Sequence, residues 1–219
     1  TLLFGVPAPR LGQRRAIARA AARAYLHLTG VRFSVRGLAH LPEGPCVVVA
    51  NHASYLDGLV MQAALPPRFA FVIKSEMARI PLAHTLLHRL GSEFVDRVDR
   101  HRAASDVRRV VRTASTGQAL AVFPEGTFDE RVGVHRFLPG AFTAAARAGL
   151  PVVPAVIRGA REVLPCYVWL PHRGPIDVEL LAALPPAADA GRAAANALRD
   201  AARAAILAAL GEPDLAVDG

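Results

Sequence analysis

Short runs of consecutive apolar residues, set between stretches with helical spacing, leave this chain few folds to adopt. Cys46-Val47-Val48-Val49-Ala50 is one such run and Ala119-Leu120-Ala121-Val122-Phe123 is another, with similar runs at 69–73 and 152–157. They are too short for core helices, and apolar at successive rather than alternate positions, as strands buried on both faces are. Helices are expected at 54–64, 79–90, 101–115 and 138–148. A helix at 13–28 and a strand at 31–36 come first, a strand at 92–96 falls between two of the helices, and a strand near 175–181 and an Ala-rich helix at 189–210 come last. Strands alternating with helices imply an α/β layer fold, with a largely parallel or mixed sheet flanked by helices. At 219 residues and 53% hydrophobic, the chain suits one core. The expected division is a basic amphipathic helix within 1–30, a single domain over 31–210 and a loose tail at 211–219.

Two polar clusters stand directly after two of these runs. Asn51-His52-Ala53-Ser54-Tyr55-Leu56-Asp57 follows the first, and Pro124-Glu125-Gly126-Thr127 follows Phe123. Strand ends are where α/β folds place chemistry, because side chains there face a crevice on a fixed backbone. His52 and Asp57 are five apart, so within one helix they point about 140° away from each other. They meet only if His52 lies in the loop and Asp57 in the first helical turn. Ser54 as N-cap, with Asp57 completing a capping box, gives that arrangement. A carboxylate holding one imidazole nitrogen leaves the other available as a general base. The alternative is that Asp57 only caps a helix and His52 is an ordinary loop residue.

The spacing Asn51-His52-x-Ser54-x-x-Asp57 resembles the first signature block of the glycerolipid acyltransferases, the PlsC-type 1-acylglycerol-3-phosphate acyltransferase family. Gly91-Ser92-Glu93-Phe94-Val95-Asp96-Arg97 resembles the second block, Phe123-Pro124-Glu125-Gly126-Thr127 the third, and Leu150 to Ile157 the fourth. All four stand in the family's order, and the similarity runs from about residue 35 to about residue 180. It implies His52 and Asp57 as the catalytic pair. It also implies substrate contacts at Asn51, Ser54, Lys74, Arg97, Glu125, Gly126 and Thr127. Among these, Arg97 and Lys74 would hold a phosphate, and Glu125 would accept from a glycerol hydroxyl. Two departures stand out. Phe128 occupies a position that often carries Arg, and the residues ahead of the first block do not show the long apolar segment of many members, so integral membrane attachment is not expected of them. The resemblance implies no metal and no bound organic cofactor, only acyl-CoA or acyl carrier protein as co-substrate.

Charge sharpens the expected partners. Seven Arg and no acid precede Glu43, and Lys74 is the single Lys against 25 Arg. On helix 13–28, Ile17, Ala21, Tyr25 and Leu28 form one stripe with Arg15, Arg19 and Arg23 across from it. A basic amphipathic helix suits an anionic membrane surface, or else packs on the body with its cations in solvent. No nucleic-acid motif accompanies the charge, so no nucleic-acid partner is expected. No run approaches the roughly 20 apolar residues of a membrane span, so attachment is expected to be peripheral, at the cytoplasmic face. Cys46 and Cys166 cannot form a disulfide framework, and Cys46 reads as a small buried residue. His84 and His88, at i and i+4, have metal-ligand spacing but no third ligand near in sequence.

The expected activity is transfer of an acyl group to a hydroxyl of a lysophospholipid, most simply lysophosphatidic acid, with glycerol 3-phosphate or another lysolipid as the alternatives. The rival from another class is a non-catalytic membrane- or lipid-binding protein. An intact His52 and Asp57 argue against it, since a binder needs neither. A hydrolase or transacylase would differ only in acceptor or donor.

Overall fold

The expected strands assemble into one sheet in a computed structural model. It describes residues 10–75, 81–95, 112–113, 116–166, 168 and 170–216; for Lys74 and residues 81–83 only the main chain is described. The elements are α1 (Leu11–Leu28), β1 (Val31–Arg36), β2 (Val47–Ala50), α2 (Asp57–Ala64), β3 (Phe69–Lys74), α3 (Pro81–Arg89), β4 (Glu93–Val95), β5 (Ala119–Val122), α4 (Gly140–Ala148), β6 (Val152–Arg158), α5 (Ala160–Val163), β7 (Gly174–Leu180) and α6 (Arg192–Leu210). The helix expected at 101–115 falls almost wholly outside the described residues.

Strand order is β1-β7-β6-β2-β5-β3-β4. All neighbours are parallel except β6 and β7, which are antiparallel. The chain leaves β2 toward β3 on one side and leaves β5 toward β6 on the other. The C-terminal ends of β2 and β5 therefore flank a crevice at a topological switch point. Val49 pairs with Val122, which brings the loops after β2 and β5 to the same height.

Alternate residues of β2 feed two cores. Val48 and Ala50 pack with Ala22 and Leu26 of α1 and Val60 and Met61 of α2. Val47 and Val49 pack on the other face with Phe142 of α4 and Leu198, Ala202 and Ile206 of α6. Helices on both faces are what a parallel sheet requires.

Helix α1 does not turn the expected face inward. Its buried residues are Arg15, Ala22 and Leu26, while Ile17 and Leu28 are 62% and 83% exposed. Carbonyl acceptors decide the matter. Arg15 donates to Leu90 O (2.8 Å), Arg68 O (3.2 Å), Gly91 O (3.4 Å) and Gln118 Oε1 (3.0 Å). Arg19 reaches Ala63 O and Ala64 O at 3.3 Å each, and Arg23 reaches Ala63 O at 2.9 Å. These are the last carbonyls of α2, the negative end of its dipole, where cations bind favourably. The three arginines expected to face a membrane instead seat α1 on the body.

Candidate active site

The loop after β2 is locked before it reaches its histidine. Asn51 is buried, donates from Nδ2 to Ile157 O (3.0 Å) and accepts Ile157 N–H at Oδ1 (2.8 Å). Ser54 is also buried. Its Oγ donates to Leu164 O (2.8 Å) and accepts Leu56 N–H (3.2 Å). Ser54 is not the N-cap: α2 starts at Asp57, and Leu56 is the cap residue. The serine's hydroxyl is drawn instead to a loop carbonyl beyond β6. Both side chains spend their polar atoms on the protein's own backbone, which is how a loop with fixed geometry is made.

Asp57 then turns its carboxylate back over that loop. One oxygen, Oδ2, accepts from Ala53 N (2.6 Å), Ser54 N (2.8 Å) and His52 Nδ1 (2.8 Å). An oxygen already taking two main-chain N–H groups is an acceptor, so Nδ1 carries the proton and Nε2 keeps its lone pair. The aspartate side chain is 0% exposed and the histidine side chain 19%. The imidazole stacks on Phe123 (centroids 4.4 Å apart, 18° between planes) and meets the edge of Phe128 at 4.6 Å. The ring is thus held by one hydrogen bond and two aromatic neighbours, one stacked and one edge-on, with a single nitrogen left for chemistry. Phe128 also packs edge-on against Tyr55 at 4.8 Å. An apolar residue directly after the Pro-Glu-Gly-Thr segment was the signal for this contact, and sequence reasoning registered only the missing arginine.

From β5 comes the opposing loop. Glu125 is buried, and each of its oxygens takes a main-chain N–H: His52 N to Oε1 (2.7 Å) and His135 N to Oε2 (2.7 Å). Burial, above all, pushes its carboxyl up to about 7; the two N–H bonds oppose this, Asp57 adds to it and Arg203 opposes it. Gly126 follows at φ 80°, a left-handed conformation that lets the chain turn away beside the histidine. Gly126, Thr127 and Phe128 border the space that His52 faces.

That space is a groove of about 1010 Å³, the upper end of the range for small-molecule pockets. Ile17, Ala18 and Ala21 of α1, Leu59 of α2, Phe71 and Ile73 of β3, and Leu86 and Leu87 of α3 wall it. Ile17 and Ala21, the first half of the apolar stripe of α1, therefore line a cavity instead of packing, which is why Ile17 is both apolar and exposed. Sequence reasoning missed this wall because its residues come from four separate elements.

The remaining expected residues fall as follows. Lys74 ends β3 and its main chain pairs with Val95; its side chain lies outside the description, and so do Arg97, Asp96 and Asp99. Arg131 and His135 both contact Asp129, at 2.8 and 3.3 Å. The Arg131 hydrogen bond is the main reason Asp129 is pulled down to about 2. Arg136 is exposed. His84 and His88 sit on α3 with ring centroids 5.9 Å apart, and His84 also contacts Phe94.

Comparison with known proteins adds three findings. The family model described as Acyltransferase matches residues 32–158. Human 1-acyl-sn-glycerol-3-phosphate acyltransferase alpha is 36% identical over 138 residues, covering 62% of this chain and 49% of that protein. A Chlamydomonas reinhardtii protein named 1-acyl-sn-glycerol-3-phosphate acyltransferase is 32% identical over 170 residues, covering 77% and 49%. The chain thus spans about half the length of these relatives. The crystal structure of the 1-acyl-sn-glycerophosphate (LPA) acyltransferase PlsC from Thermotoga maritima superposes with a TM-score of 0.75 at 21% identity, over 91% of this chain and 82% of that one.

Proposed function

The chain belongs to the acyltransferase family, and from that premise we propose that it moves a fatty acyl group from a thioester, acyl-CoA or acyl carrier protein, to the free hydroxyl of lysophosphatidic acid. One observation carries the reading. His52 has Nδ1 tied to a buried carboxylate while its other edge opens on a large apolar groove. Nε2 takes the proton of the acceptor hydroxyl as its oxygen attacks the thioester carbonyl. Asp57 stabilises the imidazolium that forms. The tetrahedral intermediate collapses, the carbon–sulfur bond breaks, and the proton passes from His52 to the departing sulfur, which leaves as a free thiol. No acyl-enzyme is needed, since the acceptor is the nucleophile. The groove takes the acyl chain.

Purified protein, an acyl thioester and a panel of lysolipids test this through thiol release. Release that depends on lysophosphatidic acid supports the reading. Release without any acceptor would mean a hydrolase, and none at all would mean a binding protein.

Arg97, with Lys74, is proposed to hold the acceptor phosphate, Arg97 by bidentate hydrogen bonding. Arg97→Ala should then raise KM for the lysolipid far more than KM for the acyl donor. Arg97→Lys should recover only part, since an ammonium does not replace a planar fork. Equal effects on both substrates would point to a structural ion pair.

The acceptor is a lipid, and we propose peripheral attachment to an anionic membrane surface. Among the described residues no helix is long and apolar enough to cross a membrane. Ile17, Tyr25 and Leu28 on α1, and Tyr55 and Leu86 on the groove wall, are exposed large apolar groups. With Arg15, Arg19 and Arg23 committed to carbonyls, attachment should rest on apolar insertion and survive high salt. Tyr25→Glu with Leu28→Glu should reduce co-sedimentation with anionic vesicles, leaving turnover of a dispersed short-chain substrate nearly unchanged. Wild-type binding abolished by salt would instead assign attachment to the remaining surface arginines.

A further inference from the structure

The end of the chain is laced to the loop opposite His52. Val134 N donates to Pro213 O (2.9 Å), and Leu215 N donates to Val134 O (3.1 Å). Arg203 of α6 sits at this crossing. It grips the two oxygens of Asp214 at 2.7 and 2.5 Å, and donates to Val134 O (2.8 Å) and His135 O (3.1 Å). Arg161 of α5 fixes the adjacent Glu212 with two bonds, at 3.0 and 3.3 Å. At Gly133, a Cβ would stand 2.6 Å from Leu215 Cγ and 2.7 Å from Pro213 O, so only glycine permits the approach. The segment expected as a loose tail is, over 212–215, a fastened strap.

The strap's far side reaches the catalytic loop in two steps. His135, whose carbonyl Arg203 holds, donates its own N–H to Glu125, and the other Glu125 oxygen takes the N–H of His52. We propose that Asp214 and Arg203 are positioning residues for acyl transfer, holding His52 in place through the 134–135 segment and Glu125. The inference rests on the acyl-transfer reading, because a misplaced His52 matters only if His52 reacts. A displacement of about 1 Å at a reacting group can cost up to about 10²-fold in rate.

The groups facing Glu125 are His52, His135, Asp57 and Arg203. Arg203 is the cation among them that favours the carboxylate, and the carboxylate is the form that accepts both N–H groups. Removing that cation therefore raises the pH at which Glu125 takes a proton and loosens its grip. A residue that merely stabilised the fold would not move the pH profile.

The test compares wild type with Asp214→Ala, the milder Asp214→Asn, Asp214→Glu and Arg203→Met, each assayed below its own melting transition. Expected are a kcat lower by roughly 10- to 100-fold in Asp214→Ala and Arg203→Met, both KM values within about twofold, partial recovery in Asp214→Glu, and an acid limb displaced to higher pH in Arg203→Met. A folded Asp214→Ala or Asp214→Asn protein with wild-type kcat, or an unmoved acid limb in Arg203→Met, would overturn the proposal. His52→Ala, run alongside, separates the two readings. If it is inactive while the strap variants keep full kcat, only the positioning role fails; if it keeps activity, the acyl-transfer mechanism fails.

Discussion

His52→Ala is expected to lower turnover by about 10²- to 10⁴-fold, the usual contribution of a positioned general base, with little change in melting temperature. The imidazole's contacts are one hydrogen bond to Asp57 and two aromatic neighbours, and none of the strands depends on it. Steady-state rates of thiol release, measured beside thermal melting, check both halves. A folded variant with wild-type turnover would sink the mechanism. Asp57→Asn should be comparably severe for a different reason. Its oxygen takes three donors at once, and an amide group can hold the imidazole in the wrong tautomer. That variant should also melt earlier, because two main-chain N–H groups of the loop lose a charged acceptor.

The second large effect falls on stability, far from the histidine. Arg15→Met should destabilise the protein by about 2–4 kcal/mol, because Arg15 is 4% exposed and leaves several acceptors without their donor when removed. At this chain length that corresponds to a melting temperature lower by roughly 5–15 °C. Arg147→Met, on an exposed position of α4, is the control and should stay within about 0.5 kcal/mol. If the two variants melt together, Arg15 is not a structural clamp and the surface reading of the basic helix returns.

Strands were legible where burial is two-sided. Residues 46–50, 69–73, 119–123 and 152–157 were placed to within about one residue, because a continuous apolar run has no other use at that length. The His52–Asp57 contact was legible too, since only a loop-to-helix junction brings residues five apart together. The roles of Asn51 and Ser54 were not. Their partners, Ile157 and Leu164, lie 106 and 110 residues away and contribute only main-chain atoms, which carry no side-chain signature. Helix α1 misled for a related reason. A hydrophobic stripe is assumed to face a core, but here the interior offers carbonyl oxygens, Ile17 and Ala21 border a cavity, and Tyr25 and Leu28 are exposed. The strap was hidden in the same way, since Asp214 and Arg203 mean nothing until the segment after α6 meets the loop after β5.

The way α1 is seated has a mechanical consequence. Apolar contacts are non-directional, so a helix held only by them can slide by fractions of a turn at little cost. Hydrogen bonds from guanidinium groups to fixed carbonyls are not so forgiving, because they fail steeply with angle and distance. Arg15, Arg19 and Arg23 act as three detents along one rod. The rod has a single stop position relative to α2 and to the strand starts, so one wall of the groove stands at a set spacing from the other. An aperture built this way gauges its contents instead of swelling to fit them.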